Sequence, residues 1–485
     1  MFPDDLYLLS PEISLAGIAV IVILLDLVLE DKRILAVASL LGLALPVGFS
    51  IALWVNIDGK PDNVLIGFSD LLVVDYFSLF FKFLIVGIAA LVILSSQEYV
   101  SRFRRFQGEY YALVLTASVG MMLLAATREL ISIYIALELS SLSLAALVAF
   151  LRDARSTEAS IKFLILSALS SGVMLYGMAL VFGLTGSTML SDISGEIGSL
   201  GQLVDEPALL LGVIFIVAGF GFKISTVPFQ MWVPDVYEGA PTPIVAYLSV
   251  ASKAAGFAVI LRVFNEAFGP PDLMAEWSFL FAVLAAASMF IGNLIAIAQK
   301  NIKRLMGYST IAQAGFIMVG LAAINGPGTS GVLFYLVAYA ATNLAAFFAI
   351  IAISSKTGSD LIDSYAGMSK RNPFLAFALT FSLLSLIGIP PTAGFWAKIN
   401  IFAAAVDSDL VWLVIVGVIN SVISAYYYLR IIRVMYFSPP PSEERLAFAP
   451  AATTALAVAS IGVLFLGVVP RYLLEIIDTA VLNFG

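Results

Sequence analysis

Apolar stretches of about twenty residues or more, each closed by charges or Gly/Pro clusters, recur along the whole chain. A helix needs about 20 consecutive apolar residues to cross a bilayer. The pattern predicts fourteen such spans, starting near residues 11, 34, 74, 110, 130, 159, 207, 244, 277, 305, 330, 374, 410 and 450. Two segments, 207–238 and 374–405, are unusually long, and each contains prolines: Pro228 and Pro234 in the first, Pro390 and Pro391 in the second. Proline removes a backbone donor and breaks an α-helix. Irregular backbone at membrane depth persists only where it is buried in protein or lines a wet cavity. One proline-interrupted span in each half points to inverted repeats with sites at the breaks. The expected fold is therefore an all-α integral membrane protein with two inverted five-helix repeats, spans four to eight and nine to thirteen, and discontinuous helices seven and twelve. Its parts would be residues 1–109, 110–265, 277–436 and 450–485 of a single membrane domain, with no soluble domain.

Composition agrees. Hydrophobic residues make up 61% of the 485 and charged residues 12%, with a mean hydropathy of +1.02; soluble proteins run near 45–50% and about 25%. The chain has neither cysteine nor histidine. That excludes disulfides, thiolate-held iron–sulfur clusters and His-ligated haem, and argues against structural zinc. No metal and no cofactor are expected in this chain, which would carry no electrons. The opening MFPDDLYLL lacks a basic n-region, so the first span is expected to be retained.

Lys and Arg are distributed unevenly. Connections after odd-numbered spans hold sixteen, among them Arg102, Arg104, Arg105, Lys300, Lys303 and Arg304. The opposite set holds four, Lys60, Arg128, Arg262 and Arg471, and five lie inside spans. Positive charge accumulates on the cytoplasmic side, which places both termini outside and the SPPPSEER connection at 438–445 inside.

A charge at bilayer depth costs about 2.5–3.5 kcal/mol. The residues concerned are Asp26, Lys82, Glu138, Lys162, Lys223, Lys253 and Lys398. Glu138, in YIALELSSLSL, and Lys253, in YLSVASKAAGFAVI, lie about 15 Å from either span end, too far for easy snorkelling. Lys223 and Lys398 sit beside the prolines of the long segments. A Lys–Glu pair such as Glu138–Lys223 can be a structural clamp. Lys253 has no carboxylate near it in sequence, and an isolated desolvated amine can exchange its proton near neutrality. The four residues together predict a proton path. Lys162 is expected to snorkel to the surface, Asp26 lies near a span end, and Lys82 is mid-span without an assigned role. GPGTSG at 326–331 matches the dinucleotide fingerprint, but it falls in a predicted turn with no strand before it and reads as a loop. Walker A, nucleophile-elbow and zinc-ligand patterns do not occur, and nothing suggests nucleic-acid binding.

Four stretches, GFKISTVPFQMWVPDVYEGAPTP, AYLSVASKAAGF, GNLIAIAQKNIKRLMGYSTIAQAGF and GIPPTAGFWAKI, closely resemble the subunit N family of proton-pumping NADH-quinone oxidoreductase, respiratory complex I. That family is related to the large subunits of Mrp-type sodium/proton antiporters. The resemblance implies a fourteen-helix antiporter-like fold with one proton channel. In it, Glu138 and Lys223 form a charge pair, Lys253 is the central lysine of helix eight, and Lys398 is the lysine of broken helix twelve. It further implies a translocase subunit of a bacterial inner membrane, partnered by other membrane subunits and lipids, with NADH, FMN, iron–sulfur clusters and quinone in those partners. Among sister subunits, M usually has glutamate at the position of Lys398, and L carries a long C-terminal lateral helix for which the residues after span fourteen leave no room. Many relatives have histidine where this chain has Gln230 and Gln313. Proton movement would then depend on the lysines, Glu138, hydroxyls such as Tyr308 and Ser309, and water. The alternatives are an Mrp-type antiporter subunit and a structural scaffold whose lysines do not titrate.

Overall fold

The computed structural model describes residues 2–58, 60, 63–101, 103, 105–199, 207–323, 325–440, 450–482 and 484. Arg102, Arg104 and residues 441–445 of the proline-rich connection lie outside that set. Helices make up almost all of it, apart from one short antiparallel hairpin, Leu65–Gly67 with Leu72–Val74.

Thirteen helices among the described residues are long and apolar enough to cross a membrane. Spans one to six are Ser10–Val28, Arg33–Ile57, Tyr76–Val100, Gln107–Ala126, Leu130–Leu151 and Ala154–Thr185. Spans seven to eleven are Pro207–Ile224, Thr242–Glu266, Leu273–Ile297, Ile302–Ala322 and Gly326–Thr357. Spans thirteen and fourteen are Val411–Phe437 and Pro450–Val468. The twelfth is divided into Pro373–Ile387 and Ala393–Asp407. Span seven also continues beyond its break, as Val233–Gly239. All fourteen expected spans are present.

Several begin a turn earlier than hydropathy suggests, because a polar cap and not the first apolar residue starts a helix. Asp153 accepts the Ser156 N–H, Asn301 those of Lys303 and Arg304, and Asn325 that of Gly328. The last of these corrects the reading of GPGTSG: residues 326–331 are the first turns of span eleven, with proline at a position whose N–H would be unpaired anyway. Arg262 is a second correction. Expected in a connection, it lies within span eight and is 1% exposed.

The apolar stretch of span eight is buried throughout, and those of spans ten and eleven nearly so, at 94% and 89%; those of spans one, two, six and thirteen are only one-third buried. Polar side chains on eight, ten and eleven therefore face protein, and the outer spans face the bilayer or neighbouring chains. Two bridges, Leu72 with Thr127 and Glu129 with Met189, gather three connections at one face. Phe484 stacks on Phe77 at that face, 3.8 Å between centroids; it is called the terminus face below. At the opposite face Asn301 bridges Leu361. Two short helices, Leu190–Ser199 and Arg471–Val481, were not foreseen. Each is too short for an apolar run and instead buries one stripe: Leu190, Ile193 and Ile197 in one, Leu473, Ile477 and Ala480 in the other.

Candidate functional site

Where a helix ends, its last carbonyls lose their partners, and at membrane depth each unsatisfied group costs several kcal/mol. Span seven ends in this way at Ile224. Ser225 takes a left-handed φ of 66°, and Pro228 follows a cis peptide bond. The Thr226 N–H returns to the Gly221 carbonyl at 2.9 Å. Ser288 of span nine holds the segment, bonded to Thr226 Oγ1 at 2.7 Å and accepting the Val227 N–H at 3.0 Å. The terminal carbonyl of Ile224 accepts a 2.6 Å hydrogen bond from Lys253 Nζ. A lysine from the neighbouring span thus completes the broken end.

Lys253 follows a π-helical turn, Leu248–Ser252, a departure from α geometry frequent at functional positions. It is 1% exposed. The close approach of spans seven and eight requires Gly256, since a Cβ there would lie 2.7 Å from Ile224 Cγ2. Lys223, one residue before the break, donates to Ser140 Oγ at 2.7 Å and Ser141 Oγ at 3.1 Å, both on span five. Glu138 of the same span accepts a hydrogen bond from Ser171 of span six. Serines therefore stand against both members of the expected Glu138–Lys223 pair, and among the described residues no ion pair within 4 Å joins them.

Span twelve ends at Ile387 with the same local geometry. Gly388 has φ 95°, a cis bond precedes Pro391, and the Ile389 N–H returns to Leu384 at 3.1 Å. Lys398 Nζ donates to the Ile387 carbonyl at 2.8 Å and to Ser421 Oγ at 3.0 Å. It also stands 4.2 Å from the centre of the Phe316 ring, a cation–π contact. Both terminal carbonyls at the breaks are satisfied by lysines, although Lys253 and Lys398 do not touch.

Between the two breaks the buried spans carry hydroxyls and amides. Asn343 donates to Ser249, in the π turn, at 2.7 Å. Thr310 and Tyr339 are 2.9 Å apart, and Ser309 and Tyr428 2.5 Å. Gln313 donates to the Leu386 carbonyl at 3.2 Å and accepts from the Tyr335 hydroxyl. Ser385 bonds Thr342 at 2.9 Å and accepts the Gly394 N–H. Among the described residues the Asn343 Oδ1 is buried without a protein partner, and the buried Tyr237 hydroxyl faces Thr310 and Ser249. Ser309 lies in this line, whereas Tyr308 is only half-buried. Tyr237, Tyr335, Tyr339, Tyr428 and Asn343 escaped the sequence reading, because an uncharged polar group in an apolar run raises no alarm.

The remaining charges pair off. Lys82 meets Glu12 at 2.9 Å, both fully buried. Asp26 pairs with Lys32 at 3.0 Å. Lys162 reaches the surface, as expected, and binds Glu158 at 2.8 Å and Asp235 at 2.9 Å. Gln230 is half-buried at the first break.

Residues 127–424 match the family described as NADH:quinone oxidoreductase/Mrp antiporter, TM. NADH-quinone oxidoreductase subunit N of Dehalococcoides mccartyi is 47% identical over 483 residues, 98% of each chain. The subunit N of Moorella thermoacetica is 42% identical over 472 residues, 96% of each. Among solved structures, a chain of respiratory complex I from Thermus thermophilus superposes with a TM-score of 0.80 at 34% identity, covering 96% of this chain and 98% of that one. A chain of the Mrp complex from Dietzia sp. gives 0.86 at 21% identity, covering 99% and 97%, a likeness of fold. This chain is thus a multi-pass membrane protein of the NADH:quinone oxidoreductase/Mrp antiporter family, and the two relatives described above are NADH-quinone oxidoreductase subunits N.

Proposed function

We propose that this chain is the proton-translocating part of an NADH-quinone oxidoreductase and performs no redox step itself. Glu138, Lys223, Lys253 and Lys398 are its relay. NADH, FMN, iron–sulfur clusters and quinone belong to partner subunits, since a chain without cysteine or histidine offers neither thiolate nor imidazole. Its outer spans meet lipid and other membrane subunits. The observation that carries the reading is the paired arrangement at the breaks: Lys253 on the Ile224 carbonyl, Lys398 on the Ile387 carbonyl, and a buried line of hydroxyls and amides between.

The units 110–265 and 277–436 act as inverted repeats, each contributing one break. The Lys/Arg bias assigns the terminus face to the outside. The serine-bound state of Glu138 and Lys223 is the open form of their pair. In that form the Lys223 charge repels a proton on Lys253 and drives it toward Lys398. Moving one charge against 100 mV takes about 2.3 kcal/mol, within the range of buried charge–charge interactions. The antiporter alternative rests on likeness of fold at 21% identity, against 47% to a subunit N.

Lys253→Ala in the assembled complex, reconstituted in proteoliposomes, tests the reading. Protons moved per NADH oxidised should fall while subunit content stays constant. A wild-type ratio in a fully assembled complex rejects the relay.

A further inference from the structure

Nine residues beyond Lys253 on span eight, about 13.5 Å at the helical rise, lies Arg262 at the terminus face. The residues between, 254–261, are apolar or glycine, and all are buried. Arg262 is itself buried, and all five of its N–H donors are committed. Nη1 donates to Asp75 Oδ2 at 2.8 Å and to Glu266 Oε1 at 2.9 Å. Nη2 donates to Asp75 Oδ1 at 3.0 Å and to the Ala125 carbonyl at 2.8 Å, and Nε donates to the same carbonyl at 3.2 Å.

The acceptors are equally engaged. Asp75 Oδ1 also takes the Ser78 N–H at 2.7 Å, and Glu266 Oε2 takes Arg128 Nε at 2.6 Å. The rings of Phe77 and Phe484 lie 4.9 and 5.3 Å from the guanidinium carbon. Among the described residues, no such arginine cluster closes the terminus-face end of the second half. There a cavity of about 520 Å³, lined by Ser330, Asn400, Asp407 and Asp478 among others, lies beside the end of broken span twelve and the helix Arg471–Val481.

We propose that Arg262, clamped by Asp75, Glu266 and the Ala125 carbonyl, is a proton-tight seal that prevents a proton held at Lys253 from leaking straight to the outside through the first half. A guanidinium does not deprotonate in proteins, so it cannot accept a proton on one side and release it on the other. With every donor used, it has none left to continue a water chain. The proposal rests on the relay reading above and assigns it a one-way requirement: protons from Lys253 leave through the second half.

The test uses the whole complex in proteoliposomes and reads two quantities, NADH-driven quinone reduction and the decay of an imposed pH gradient without NADH. Arg262→Met should reduce quinone at the wild-type rate. Its gradient should decay about tenfold faster, which corresponds to about 1.4 kcal/mol off the barrier to leakage. Adding Lys253→Met should restore slow decay, because the leak passes through that amine. Where Arg262→Met does not assemble, Asp75→Asn keeps the side-chain shape, weakens the clamp and should leak in the same Lys253-dependent way. Wild-type decay in the variant that assembles overturns the seal, as does a leak that persists without Lys253. Pumping by the Lys253→Ala complex separately judges the relay, so the two failures are distinguishable.

Discussion

The two halves of the molecule solve one backbone problem with different parts. In the first, the end of span seven borrows its lysine from span eight, and the break's own lysine, Lys223, turns away to serines of span five. In the second, the lysine that satisfies Ile387 comes from the continuation of the same broken helix. The first break is therefore sensitive to how spans five, seven and eight sit relative to one another; in the second the lysine belongs to the broken helix itself and is steadied by Ser421 of span thirteen and Phe316 of span ten. Their terminus-face ends differ in the same sense, a saturated arginine cluster in one and an open cavity in the other. Similar backbones with unlike ends suit a path in which the first half receives a push and the second releases the proton.

The strongest challenge to this contrast is Lys398→Met. It removes the hydrogen bonds to Ile387 and Ser421, and a carbonyl left unpaired costs about 1–3 kcal/mol. Protons per NADH should collapse and the subunit should dissociate at lower temperature. A complex that pumps normally would make the second break dispensable and end the comparison.

Smaller effects of unequal size are expected where the chain turns left-handed. At Gly388, φ is 95° and an added Cβ would stand 3.0 Å from Lys398 Cδ, so Gly388→Ala should destabilise by about 1–2 kcal/mol and displace the lysine. At the matching position of the first break, Ser225 already accepts that conformation. Ser225→Gly lifts a left-handed cost while adding chain entropy to the unfolded state, and should stay within about 0.5 kcal/mol of wild type. Thermal release of the subunit measures both, and equal losses would mean that the two turns bear the same load.

The smallest expected effect is no effect, with pH. Burial alone would raise the Asp75 carboxyl, but the Arg262 charge, with hydrogen bonds from Arg262 and Ser78, holds it below its ordinary 3.8. A carboxylate lowered in this way contributes its full stability above the unfolded value and loses it only as pH falls through the lowered one. Gradient decay in the wild-type complex should therefore be flat from about pH 8 down to about pH 5. A leak opening within that window would show that a different titrating group governs the terminus face.

Much of the architecture was legible in advance. Twenty-residue apolar runs have one stable outcome in lipid, and prolines inside two of them mark the breaks by removing donors. Glu138, Lys223, Lys253 and Lys398 were visible because a charge in such a run is costly. Pairings were not visible. Glu12 and Lys82 are seventy residues apart in the chain yet meet at 2.9 Å, and Glu12 near the start of a span drew no notice. Arg262 was misplaced because a charge near the end of an apolar run looks like the start of a connection, and Asp75 from another span's cap, with Glu266 and the Ala125 carbonyl, makes it tolerable inside.

What the amino-acid order determined by itself is the set of segments that must be helical in a membrane and the positions where helix must fail, since both follow from local hydrogen-bond and transfer energies. Which lysine answers which orphaned carbonyl was decided by the tertiary structure alone. It brings Gly256 against Ile224 and Ser421 against Lys398, and contacts between distant segments leave no local signature to read.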